Sequence, residues 1–364
     1  MEGDAPMGED DGPIPGELSG PSPLRHPWRD HYGFLLNLTK DEETAYEQAN
    51  ANVLRAELDW KSMQDAVVGK PWFSKELTRA YASPNSMSRS PLVLASDDLR
   101  NLLKSEGIPP NRRQKVWMGL SGASSLKLHC APGYYTQLRQ MPCSDTDKGD
   151  IEKDLHRTCA SHPWFETDEA RILLRSVLSA YATRNPEVGY SQGLNSIVGM
   201  LLLVTHADEE ATFWLLAALV EKILPKGMYN RNLDFAKGLM YKFEKLMYQA
   251  CPELQMHLLA AVQYECAMTV YRWVYSLCSG EDFPAETTFR IWDLLFTGFG
   301  PSAEILLLVP LAVFRINEEK LLQLYEDNKV HAMIQQSALR LTDANLLVRL
   351  ISDGLNMVCP PSTM

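Results

Sequence analysis

The sequence predicts an all-α fold, and three observations carry that expectation. Apolar residues recur at intervals of three and four, the spacing that lines one face of a helix. Residues that start and stop helices bracket those stretches. No run of short alternating strands, no β-α repeat and no internal repeat of about 20 to 50 residues interrupts them.

Residues 1–30 combine many glycines and prolines with Glu2, Asp4, Glu9, Asp10, Asp11, Glu17 and Asp30. With so little to bury, they are expected to form a disordered acidic tail that carries about half of the formal net charge of -11. A solvated tail is its ordinary reading, and a regulatory arm is the alternative. Residues 31–92 read as a helical extension and linker, with a helix-like stretch over 41–68 and a polar, Pro-flanked segment over 83–91. One helical domain is expected over 93–356, followed by a short tail at 357–364.

Within that domain Ala170, Leu173, Leu174, Val177, Leu178 and Tyr181 share one helical face, and Asn185-Pro186 stops the helix. An apolar helix follows over 194–204. Asp208, Glu209 and Glu210 then stand where a helix N-terminus favours negative charge. Further helices are expected over 213–223, 235–248, 254–266 and 305–314.

Composition excludes several function classes. The chain has 364 residues, 45% of them hydrophobic, enough for a substantial core. Lys and Arg number 35 against 46 Asp and Glu, and no basic block exists to release counterions from a duplex, so nucleic acid is not an expected partner. The longest apolar stretches, 197–204 and 305–314, reach only about half of the roughly 20 residues that a membrane span needs. The first residues lack the basic start and apolar run of a secretory signal. Seven cysteines, an odd number without a Cys-x-x-Cys pair, predict reduced thiols rather than a disulfide framework or zinc site. A soluble, cytoplasmic protein is expected.

No phosphate-cradling glycine loop and no His-Glu-x-x-His zinc motif is present, so no cofactor or metal is expected by those routes. Gly189-Tyr190-Ser191-Gln192-Gly193 matches the G-x-S-x-G elbow of serine hydrolases. That elbow needs a strand ending in a strained turn. Here a helix precedes it, so Ser191 has poor support as a nucleophile.

Four other clusters stand out. Gln192 opens the helix over 194–204; its amide either holds a water by donating and accepting, or caps its own helix. In 151–158, Ile151 and Leu155 can face the core while Asp154 and Arg157, three apart, can meet on the adjacent face. That pair is either a surface ion pair of little value or an arginine aimed by its carboxylate toward transferring phosphoryl oxygens. Phe289-Arg290-Ile291-Trp292-Asp293, between two apolar helices, reads as a buried polar anchor. Arg113 and Trp117, after Gly107-Ile108-Pro109, read as helix-start architecture.

Taken in order, these clusters resemble the TBC domain of Rab GTPase-activating proteins. Arg113 to Trp117 is similar to the first motif. Ile151, Asp154 and Arg157 match I-x-x-D-x-x-R, and Tyr190, Gln192 and Gly193 match Y-x-Q-G. Arg290, Trp292 and Asp293 are similar to a phrase common in the family, and residues 30–34 to a lead-in of some members. Two stretches depart from the pattern, Thr297-Gly298-Phe299-Gly300 and a polar loop over 143–150.

The resemblance implies a TBC-type helical domain over 93–356 and an activator acting in trans. Arg157 would be an arginine finger, worth about 10³ to 10⁵ in rate, and Gln192 would position the attacking water. Asp154, Tyr190 and Gly193 would support the two fingers; Arg113, Trp117, Arg290, Trp292 and Asp293 would be structural. GTP and Mg²⁺ would be held by the partner, a GTP-bound Rab-family GTPase, so the chain needs no cofactor. Such a protein would act in vesicle trafficking, peripherally on endomembranes. The alternative is a helical scaffold that binds a Rab GTPase without accelerating hydrolysis.

Overall fold

The computed structural model describes residues 29–36, 38–39, 42–44, 46–48, 97–230 and 234–358. Residues 1–28 of the tail expected over 1–30, most of the helix expected over 41–68 and the linker over 83–91 lie outside the described residues, while Asp30, at the end of that tail, is buried. Residues 42–44 and 46–48 are helical.

Among the described residues the architecture is all-α, with an isolated bridge between Arg29 and Leu35 in place of any strand. Helix α1 is Asp97–Ser105, α2 Pro110–Leu120, α3 Ala123–Leu128, α4 Tyr134–Gln140 and α5 Asp145–Leu155. Then follow α6 (Asp168–Arg184), α7 (Leu194–Val204), α8 (Glu209–Ala218), α9 (Asp234–Ala250) and α10 (Pro252–Met256). The C-terminal part is α11 (Cys266–Tyr275), α12 (Ala285–Phe296), α13 (Ser302–Ile316), α14 (Glu318–Leu321), α15 (Asp327–Leu339) and α16 (Ala344–Val358). None is long and apolar enough to cross a membrane.

Two helices organise the packing. α6 is surrounded by α4, α5, α7 and α8; α13 is surrounded by α9, α11, α12, α15 and α16. α2 joins the halves by packing on α7, α8 and α12. The acidic start expected at 208–210 opens α8, where Asp208 accepts from the Ala211 amide; Thr167 likewise accepts from the Ala170 amide at the start of α6.

Three expectations need correction. Residues 143–150 are not a loop before the second motif. Ser144 caps the Asp147 amide, Asp145 and Asp147 fall in the first turn, and α5 begins there. The helix expected over 254–266 is broken: α10 passes into a wide π-type turn at His257–Val262, and Gln263, in the left-handed region at φ 59°, ends it before α11. The cluster 289–293 lies within α12 rather than between helices. α16 runs to Val358, and the lead-in near residue 32 packs against α12 (below).

Candidate functional site

The first motif and the cluster of α12 form one buried knot. Arg113 and Asp293 are fully buried. Arg113 Nε donates to Asp293 Oδ1 at 3.2 Å, and its two Nη groups donate to Glu286 at 2.8 and 2.7 Å and to the Tyr32 hydroxyl. Trp117 Nε1 and the Ile108 amide also donate to Asp293, at 3.0 and 3.1 Å. Arg290 donates to the Leu103 carbonyl and to Asn345 Oδ1, both at 2.9 Å, and Trp292 Nε1 to the Leu277 carbonyl at 2.8 Å. Burial pushes the Glu286 carboxyl up, but Arg113's charge and hydrogen bonds outweigh it and hold the group below its ordinary value. Every expected member of the anchor is therefore present. Glu286 and the contact of Tyr32 with it escaped the sequence reading. Glu286 had a signal, since 286, 290 and 293 fall on one helical stripe; Tyr32 lay in the 30–34 lead-in, but nothing local pointed to a partner 254 residues away.

Arg157 is presented quite differently. α5 ends at Leu155, and Arg157 lies in the turn that follows. Its Nε donates to Asp154 Oδ1 at 2.8 Å and its Nη2 lies 2.7 Å from the same oxygen, while half of the side chain is exposed. The other N–H groups of the guanidinium have no partner among the described residues. The second oxygen of Asp154 accepts from the Tyr190 hydroxyl. Burial first, and then that hydrogen bond, raise the Tyr190 pKa well above its ordinary value, so the phenol stays a donor.

Gln192 lies in the loop between α6 and α7. Its side chain is exposed and makes no hydrogen bond to the described residues, so it does not cap α7; Gly193 holds the N-cap position. Gly193 has φ 103°, and a Cβ there would stand 3.1 Å from the Tyr275 carbonyl oxygen, so the loop needs glycine for both conformation and space. The Tyr190 amide donates to Asp147 Oδ1 at 2.9 Å, tying this loop to the first turn of α5. Asp147 was missed with its helix, although the Ser144-x-x-Asp147 spacing is a capping signal.

Arg157, Gln192 and Gly193 line one open cleft of about 730 Å³, whose far wall is α11 and the turn through Glu281 and Asp282. Tyr271 and Tyr275 stack there with centroids 4.1 Å apart, and Arg272 pairs with Asp282 at 2.6 Å. Ser191 also borders the cleft, but the turn that holds it follows α6 and no strand feeds it. The hydrolase elbow is not built.

This all-α domain thus presents one aimed arginine with unused donors and one unengaged glutamine at the same cleft. The chain belongs to the Rab-GTPase-TBC domain family, which matches residues 110–322. The solved flagellar RabGAP TBC domain of Chlamydomonas is 30% identical, with a TM-score of 0.74 over 89% of this chain and 99% of that one. The Ypt/Rab-GAP domain of Gyp1p, 20% identical, shares the fold with a TM-score of 0.58 over 72% and 92% of the two chains. Among curated relatives, TBC1 domain family member 2A of Mus musculus is 30% identical over 72% of this chain and 28% of its own length. Member 2B of Mus musculus is 30% identical over 90% and 33%. The chain thus spans about a third of the length of the curated relatives it matches.

Proposed function

We propose that this chain stimulates GTP hydrolysis by a Rab-type small GTPase in its GTP-bound form. The observation that carries the reading is the shared frame at the cleft. One carboxylate, Asp154, aims Arg157 and accepts from Tyr190, two residues before an unengaged Gln192. The Arg157 guanidinium would enter the partner's nucleotide site and neutralise charge spreading over the transferring phosphoryl oxygens. The Gln192 amide would accept from the attacking water and donate to a phosphate oxygen, holding the water in line. Nucleotide and Mg²⁺ would come with the partner, and the role would be one in vesicle trafficking at endomembranes. The domain would be the helical region expected over 93–356.

Single-turnover GTP hydrolysis on a panel of purified Rab GTPases tests this, with wild type set against Arg157→Ala and Gln192→Ala. Acceleration on some members that collapses in both variants is the expected result. Binding without acceleration would replace the proposal with the scaffold reading. Acceleration untouched by either substitution would remove the two residues from the chemistry.

A further inference from the structure

A buried hydrogen-bonded pair beside the cleft has no part in the proposal above. Asn195, the second residue of α7, is 4% exposed, and Thr158, next to Arg157, is 1% exposed. Asn195 Nδ2 donates to Thr158 Oγ1 at 2.9 Å, and Asn195 Oδ1 accepts from the Gly193 amide at 3.2 Å. The Thr158 hydroxyl donates to the Asp154 carbonyl at 2.8 Å. Roles in this chain are forced. The Gly193 amide can only donate, so Oδ1 must face it; the Thr158 proton is committed to Asp154, so Oγ1 must accept.

The pair therefore runs from the residue after Arg157 to the residue after Gln192. It parallels the Asp154–Tyr190 bond, and both bridges start on Asp154, one at its carboxylate and one at its carbonyl. Close packing reinforces it. A Cβ at Gly199 would stand 3.0 Å from Cys159 Sγ and 3.1 Å from Thr158 Cγ2, so the turn carrying Arg157 sits directly on α7. The same turn holds Cys159 in the left-handed region at φ 48°, a conformation that persists only where its surroundings enforce it.

Resting on the GTPase-activating reading, we infer that Thr158 and Asn195 are positioning residues that set the placement of Arg157 relative to Gln192. Two side chains that must meet one nucleotide together are sensitive to their separation, and a displacement of about 1 Å can cost about 100-fold in rate.

Thr158→Val exchanges the hydroxyl for a methyl of similar size, while Thr158→Ser keeps the hydroxyl. Each is assayed below its own melting midpoint, beside Asn195→Ala. Thr158→Val and Asn195→Ala should lower the saturated single-turnover rate by about 10- to 100-fold. The half-saturating concentration should move less than about threefold. Thr158→Ser should retain most of the rate. Hydrogen exchange supplies a readout that needs no GTPase: Thr158→Val should raise exchange in residues 188–194 as well as in its own turn. A folded Thr158→Val with wild-type rate overturns the inference, as does a loss confined to the half-saturating concentration or exchange that rises only around Thr158. If wild type accelerates no GTPase, the functional reading fails, and the exchange data still decide whether the bridge couples the two segments.

Discussion

Arg113 and Arg157 are both gripped by aspartate, yet one is sealed in the core and the other is half exposed at a cleft. Arg113 distributes its donors over Asp293, Glu286 and Tyr32. Arg157 engages one oxygen of one carboxylate and leaves the rest of its fork to solvent. Saturated donors at zero exposure make an anchor, because any loss strands a buried charge. Unsaturated donors on an aimed side chain stay available, already oriented, for incoming oxygens. Residue type and a neighbouring acid are common to both; exposure and the count of unused donors tell them apart.

The widest separation between the two should come from Arg157→Ala. It should remove about 10³- to 10⁵-fold of any stimulated GTP hydrolysis. Its melting point should scarcely move, since a half-exposed ion pair contributes about 1 kcal/mol or less. A variant that unfolds would make Arg157 a second anchor. Asp293→Ala should do the reverse, costing about 3 to 5 kcal/mol in denaturant unfolding by leaving Arg113 without its main counter-charge. Trp292→Ala should cost a similar amount through the cavity it leaves, about 3 to 5 kcal/mol; unchanged melting in either variant would dissolve the anchor.

Tyr190→Phe tests the middle ground, because Tyr190 shares a carboxylate with the exposed arginine while being partly buried itself. Loss of its bond to Asp154 should lower stability by about 1 to 3 kcal/mol, read by chemical denaturation; no loss would mean that the bond adds nothing to the frame. An effect that depends on pH belongs to Asp30, beside the anchor's Tyr32. Burial raises its pKa from 3.8 to about 6, and its Oδ2 has no hydrogen-bond partner among the described residues. The folded state thus binds this proton more tightly than the unfolded chain. Its contribution to stability is complete below pH 3.8 and is lost as the pH rises through about 6. Asp30→Asn, neutral throughout, should gain on wild type in melting temperature as the pH rises from 4 to 7. Parallel melting curves across that range would show that Asp30 is ionised in the fold.

Much of this contrast was legible before any coordinates. The i, i+3 spacing of Asp154 and Arg157 announced their contact, and the Trp-Arg-Asp grouping in an apolar segment announced a buried anchor. Gln192 remained ambiguous between cap and exposed side chain, since both are consistent with a residue opening a helix. Its exposure, and the N-cap position taken by Gly193, removed the ambiguity. The start of α5 was misread because the polar residues over 143–150 suit a loop as well as a capped first turn. The break at Gln263 carried no Gly or Pro to mark it.

By itself the sequence determined the helical class, most helix positions and the local pairs, because these depend on spacing along one chain and on the period of the helix. Only the tertiary structure decided which arginine is anchor and which is exposed. It also showed that Tyr32 belongs to the core and that Thr158 meets Asn195 across 37 residues. Those outcomes depend on how helices pack in three dimensions, and burial and long-range partners are not properties of any local stretch.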